Sequence, residues 1–237
     1  MKFRFALLLA ALTLALSVPA LANEGGAPAV PAAPAEAADP AGSESAAPFS
    51  PLRSYDARFA DVKDGDWFAP AVASAYEYSL LDGRSETAFA PAGDVTIAEM
   101  LTIAARLHAI YTTGSDDCIP AAPLGKSWYQ PYVDYLKSEK LLDTSFEGFY
   151  LLPASRAQMA GIFAFALPAE WYTEPNAELV TTAYASGDFI ADVTLKTPYR
   201  SEILMMYRRG LLSGMDDAGS FCPERSVSRA EIAALLT

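Results

Sequence analysis

Asp61-Val62, Trp67, Leu80-Leu81-Asp82-Gly83, Phe89-Ala90-Pro91 and Thr96-Ile97-Ala98-Glu99 follow one another within residues 61–99, and the series returns twice. With the leucine pair as anchor, it recurs at Leu141-Leu142-Asp143-Thr144 and at Leu211-Leu212-Ser213-Gly214. Thirteen residues before these pairs stand Trp67, Trp128 and Pro198; nineteen before stand Asp61, Ala122 and Asp192. Eleven or twelve residues after come Pro91, Pro153 and Pro223, then Thr96-Ile-Ala-Glu99, Ser155-Arg-Ala-Gln158 and Ser228-Arg-Ala-Glu231. Columns that recur in one order three times define repeats, and repeats of this size bury their faces against one another.

Each unit reads as helix, loop, helix. Pro70 and Pro131 precede the leucine pairs by ten residues, where proline suits a first helical turn. Val72, Ala75 and Tyr76, then Val133 and Leu136, then Ile203, Met206 and Tyr207 share helix faces by spacing. Gly83 and Gly214 stand where a left-handed helix stop is expected, with Thr144 in that place in the second unit. The second helix of each unit opens on a capping box: Thr96 with Glu99, Ser155 with Gln158, Ser228 with Glu231. Behind the boxes run Met100, Ile103, Ala104 and Leu107; Met159, Ile162, Phe163 and Ala166; and Ile232, Leu235 and Leu236. Six main helices follow, in a mainly α fold.

The 237 residues include 17 Lys and Arg, 29 Asp and Glu, one His and two Cys, with a net charge of −12. This balance argues against a nucleic-acid partner, which selects a basic face. One His and two Cys exclude a His-rich metal site or a zinc cluster. No phosphate loop or nucleophile elbow is present, no cofactor is implied, and a non-enzymatic protein is expected. Asp61-Val-Lys-Asp64-Gly-Asp66 superficially suggests a calcium loop, but Lys63 and Gly65 occupy the third and fifth positions. His108 lacks ligand partners at metal spacing and reads as a surface or partly buried residue.

Residues 1–22 read as a signal peptide: Lys2 and Arg4, an apolar run from Phe5 to Val18, then Ala20-Leu21-Ala22 before the cut. Of the 17 basic residues, removal of those two leaves 15 against 29 acids, a net −14. No later stretch is long and apolar enough for a membrane span. Residues 23–54 are rich in Ala and Pro with few large apolar side chains, the composition of a disordered spacer. The repeats then occupy 55–112, 113–183 with a joining segment, and 184–237.

Phe59-Ala-Asp-Val62, Trp67, the Leu-Leu-Asp-Gly segment, Phe89-Ala-Pro91 and the Thr/Ser-Arg-Ala-Glu box together resemble S-layer homology (SLH) repeats. The resemblance covers about residues 55–237. It implies three helix-loop-helix repeats packed with pseudo-threefold symmetry around a helical core. It further implies a secreted, cell-surface protein held non-covalently to the cell wall by a pyruvylated secondary polysaccharide. In that family the grooves lie between repeats and the box Arg grips the acidic sugar. Arg156 and Arg229 occupy that position, beside Ser155 and Ser228, at helix starts where free amides and the dipole favour an anion and a guanidinium offers bidentate recognition. On this reading Arg156→Ala with Arg229→Ala abolishes wall binding while the fold survives. Trp67 and Trp128 are read either as core anchors or as sugar platforms.

The departures are specific. The first unit has Ile97 in place of the box Arg, the second has Gln158 for Glu and lacks Asp-Val, and the third has Pro198 for Trp. These losses keep a second reading open: an envelope assembly scaffold, with a protein partner, that retains the fold after losing glycan binding. A ring arrangement would make the first and third repeats neighbours, which leaves a Cys118–Cys222 disulfide open beside two free thiols.

Overall fold

The computed structural model describes residues 49–142, 144–178, 190–217 and 219–237. The expected signal peptide, most of the expected spacer and the 183/184 repeat boundary lie outside the described residues.

Six α-helices appear among them: α1 (Ala69–Glu77), α2 (Ile97–Thr113), α3 (Gln130–Ser138), α4 (Arg156–Phe163), α5 (Arg200–Arg208) and α6 (Arg229–Leu235). A 3-10 turn at Ala169–Trp171 follows α4, and strand structure is limited to isolated bridges. The fold is mainly α, as the repeat pattern predicts. Pro70 and Pro131 sit in the first turns of α1 and α3, and Val72, Val133 and Ile203 lie on the buried faces of α1, α3 and α5.

All three capping boxes form. Thr96, Ser155 and Ser228 each accept the amide three residues on, and Glu99, Gln158 and Glu231 each accept the cap residue's own amide. Gln158 shows that an amide side chain completes the box as a carboxylate does.

The helix stops differ from expectation. The left-handed residues are Ser79 (φ 57°), Lys140 (φ 61°) and Gly210 (φ 71°), each immediately before its leucine pair. Leu80, Leu141 and Leu211 return their amides to the carbonyls of Ala75, Leu136 and Met206, while Ser79, Lys140 and Gly210 return theirs to Tyr76, Lys137 and Tyr207. These are three Schellman motifs. The role assigned to Gly83, Thr144 and Gly214 therefore belongs four residues earlier. Gly83 is needed for space instead: a Cβ there would lie 2.3 Å from the Ser85 carbonyl oxygen and 2.5 Å from the Phe59 ring. At Gly214 it would lie 2.5 Å from the Gly219 Cα.

The helices pack in a closed order. The first helix of each unit lies on the second helix of the unit before it: α3 on α2, α5 on α4, and α1 on α6. A backbone ring ties the units at the cap loops. Val95 N–H donates to the Val227 carbonyl at 2.9 Å, Val227 N–H to Ala154 at 3.2 Å, and Ala154 N–H to Val95 at 2.8 Å. These three residues are fully buried, where an unmade backbone bond would be costly. One continuous core draws on all three units, with Phe59, Phe89, Met100, Met159, Phe221 and Ile232 among its most buried side chains.

The folded body starts earlier than the composition suggests. Leu52 and Arg53 donate backbone amides to the Glu77 carbonyl. Arg53 lies over the Tyr76 ring at 3.6 Å and pairs with Asp82 at 2.7 Å. Phe49 meets Tyr111 and Trp171. The 54/55 boundary is corrected accordingly, because residues from Phe49 onward carry the apolar and hydrogen-bonding partners that the Ala/Pro run lacks.

Asp61 and Asp192 act as loop acceptors. Asp61 takes the amides of Phe89 (2.8 Å) and Ala90 (2.7 Å); Asp192 takes those of Phe221 (2.7 Å) and Cys222 (2.6 Å). Burial works to raise the Asp61 carboxyl, but the two amides and the charge of Arg229 outweigh it and hold it below its ordinary value. A lowered folded value adds stability that is present above the unfolded value near 3.8 and is lost as pH falls through the folded one. Asp61→Asn is expected to cost about 1 kcal/mol at neutral pH, allowing for solvent around this exposed carboxylate. Urea unfolding at several pH values should show the difference from wild type shrinking below about pH 4. A pH-independent difference would contradict the assignment.

Candidate functional site

Three seams separate the units, and each is crossed by the first two amides of a capped helix. At the 1–2 seam Ile97 and Ala98 donate to the carbonyls of Leu152 and Tyr150 at 3.0 and 2.7 Å. At the 2–3 seam Arg156 and Ala157 donate to Arg225 and Pro223, both at 2.9 Å. At the 3–1 seam Arg229 and Ala230 donate to Gly93 and Pro91, both at 2.9 Å. With the third amide taken by the cap, these donors are committed to protein. The free amides expected to favour an anion at these helix starts are therefore absent, because the neighbouring loop supplies carbonyls to them.

Arg156 and Arg229 lie in the seams, not on open surface. They are 7% and 4% exposed. Arg229 Nε donates to the Phe89 carbonyl at 2.7 Å, its Nη2 donates to the Asp82 carbonyl, and its guanidinium stands 4.5 Å from the Phe89 ring centre. Arg156 does the same one unit earlier: Nε to Phe221 at 2.8 Å, Nη2 to Ser213 at 3.3 Å, and 4.7 Å to the Phe221 ring. Burial lowers both guanidinium values, and nearby charges act on each; both remain cations, as arginine does in proteins. Each is an inter-unit staple as much as a ligand candidate.

Sequence columns did not reveal a second arginine at each of these seams. Arg84 forks onto Glu99, with one of its two bonds at 3.2 Å, and donates to the Asp94 carbonyl at 3.1 Å. Arg225 pairs with Glu231 and reaches the Met215 sulfur at 3.3 Å. Their side chains are 44% and 40% exposed. The glutamates are those of the capping boxes, so one carboxylate both closes a helix start and holds a cation. The 1–2 seam carries Ile97, Gln158 and Leu152 at the corresponding places. The signal that could have found Arg84 and Arg225 is the joint loss in that seam of box Arg and box Glu.

Trp67 and Trp128 are 67% and 50% exposed, which removes the core reading. Their ring partners are Phe68 and Tyr129, and no described ring or cation contact joins them to Arg156 or Arg229. Ser155 and Ser228 are occupied as helix caps.

Cys118 and Cys222 are free thiols in the structure, one of the two states the sequence leaves open. Cys118 is exposed in the loop after α2, while Cys222 lies between Phe221 and Pro223, whose carbonyls receive Arg156 Nε and the Ala157 amide at the 2–3 seam. The ring does bring units 1 and 3 together, but the two thiols are not bonded to one another. His108 is half-buried with its Nδ1 2.9 Å from the Tyr135 hydroxyl, and burial lowers its value. No group of three or more His, Cys, Asp or Glu gathers as for a metal among the described residues, and no described helix is long and apolar enough to cross a membrane.

The family model described as S-layer homology domain matches residues 58–101 and 190–233, the first and third units. Two S-layer homology repeats are thus identified in this chain. The second unit is not matched, consistent with its missing Asp-Val pair, Gln158 and Leu152. Similar segments occur in an exoglucanase of Acetivibrio thermocellus (34% identity over 67 residues) and an amylopullulanase of Thermoanaerobacterium thermosulfurigenes (36% over 67 residues). Each match covers 28% of this chain but only 6% and 4% of those enzymes. This chain therefore spans only a small part of the length of these curated relatives. S-layer homology domains imply anchoring to the cell wall and association with the cell surface.

Proposed function

We propose that the protein is a secreted binding module, not an enzyme, that holds to an anionic secondary wall polysaccharide of the pyruvylated type at its 2–3 and 3–1 seams. The observation that carries this reading is the burial of Arg156 and Arg229 inside inter-unit seams, each with a second, exposed arginine beside it. The chain's net charge of −12 repels an acidic polymer at long range, so cations focused in seams suit short-range capture, and association should quicken as salt rises toward about 0.15 M. We read the closed helix order as pseudo-threefold, with two working seams and a third made of apolar side chains.

Co-sedimentation with wall sacculi tests the proposal. Strong binding to intact sacculi and little to sacculi stripped of secondary polymer is expected. Equal binding to both would overturn it. A scaffold role is the second reading, favoured by exposed Trp128, Phe149, Leu151 and Leu152 in unit 2; it predicts no dependence on the polymer.

A further inference from the structure

We infer that Arg84 and Arg225, rather than the box arginines alone, make the direct contact with the anionic group of the wall polymer. The inference rests on the proposed function and names the contact residues within it.

The buried arginines have little left to offer. Nε and Nη2 of Arg156 and Arg229 are spent on the carbonyls of Phe221, Ser213, Phe89 and Asp82. They fix the adjoining unit and supply positive potential from behind. A ligand meets exposed atoms first, and those belong to Arg84 and Arg225.

The placement of the two pairs is shared. The 3–1 seam is knit by the Arg229 amide on Gly93 and by Ser226 Oγ on Asp94 Oδ1 at 2.8 Å, and Arg84 of unit 1 donates to the carbonyl of the same Asp94. Arg84 follows Asp82 by two residues, and the Asp82 carbonyl receives Arg229. At the 2–3 seam, Arg225 offers its own carbonyl to the Arg156 amide, and the Met215 sulfur it touches follows Ser213, the carbonyl partner of Arg156, by two residues. The two exposed arginines come from different repeat columns, one after the leucine pair and one three residues before the cap. Two sequence routes thus deliver the same pairing of a buried cation, an exposed cation and the box glutamate. All three are lost together at the 1–2 seam, where Ile97, Gln158 and Leu152 stand.

The group recognised is a carboxylate or phosphate, which a guanidinium binds bidentately. To receive it, Arg84 and Arg225 exchange Glu99 and Glu231 for the ligand. Those carboxylates keep their cap amides, so the helix starts are not disturbed.

The test uses the full chain and intact sacculi at about 0.15 M salt. R84Q/R225Q is compared with wild type and with K126Q/K196Q, which removes two exposed loop charges elsewhere. A loss of at least tenfold in affinity for R84Q/R225Q, with K126Q/K196Q near wild type, is expected, at a thermal midpoint close to that of wild type. Should R84Q/R225Q fold poorly, R84K/R225K keeps the charge without the fork and is expected to bind several-fold more weakly. A soluble competitor separates the ligand sources: an O-pyruvylated hexosamine displaces the protein if the carboxylate is read, glycerol phosphate if a phosphate is read. Wild-type affinity in the arginine variants overturns the inference while leaving wall anchoring intact. Failure of wild type to bind intact sacculi overturns both.

Discussion

Arg156→Ala combined with Arg229→Ala is expected to unfold most of the protein at 37 °C. Each side chain is buried and donates to two carbonyls across a seam. Truncation leaves those acceptors short of a donor, opens a void against Phe221 or Phe89, and removes a cation–π contact. Bonds from a charged donor contribute about 1.5–3 kcal/mol, and a stranded buried acceptor costs about 1–3 kcal/mol. About 2–4 kcal/mol per site is a reasonable net figure after partial hydration. The two residues share no partner, so their costs should nearly add. The total, about 4–8 kcal/mol, rivals the whole stability of an ordinary domain. This reverses the expectation drawn from the repeat pattern, in which the fold survives and only wall binding is lost. Circular dichroism with urea titration decides it: a double variant within about 1 kcal/mol of wild type would refute the staple role.

Gly83→Ala is expected to cost about 2–4 kcal/mol, a drop in Tm of roughly 4–16 °C for a body of this size. The new Cβ would meet the carbonyl oxygens of Ser85 and Ala88 at 2.3 and 2.8 Å and the Phe59 ring at 2.5 Å. Two of these are backbone atoms, and Phe59 is 2% exposed with Phe89 and Tyr76 against it. None can yield without moving the core. The companion variant is Ser79→Gly. Ser79 holds a left-handed φ of 57° at the end of α1, where glycine escapes the steric cost a side chain bears. Its effect should be neutral or stabilising, within about 1 kcal/mol. If Gly83 were the helix stop, the order would reverse: Gly83→Asn would be tolerated and Ser79→Gly would weaken the end of α1. Calorimetry on the three variants distinguishes the two arrangements.

The parts of this fold that were legible in sequence are those governed by near neighbours. A capping box spans three residues and a buried helix face repeats every three or four; all three boxes and most face residues stand where the pattern places them, while Ala166 lies past the end of α4 and Leu107, Leu235 and Leu236 are only partly buried. The helix stops were misplaced by four residues because two of the three left-handed residues are Ser79 and Lys140, which carry no turn signal of their own. Arg156 and Arg229 were legible as box residues, but not as buried staples. Their carbonyl partners lie up to 65 and 147 residues away, and nothing local to the box records them. Arg84 and Arg225 were hidden for a further reason: they occupy different columns, so alignment of the repeats does not superpose them. Trp67 and Trp128 kept their column yet face solvent, and the core is filled instead by residues such as Phe59, Tyr76, Val133 and Leu136.

The most direct test of the account is a titration of the 15N-labelled protein with solubilised wall polymer, read at the arginine Nε–H signals. Shifts at Arg84 and Arg225, with smaller ones at the buried Arg229 and Arg156 and silence from the Ile97–Leu152 amides, are predicted. Shifts confined to the Trp128, Phe149 and Leu151 surface, with all four guanidinium signals unmoved, would contradict it.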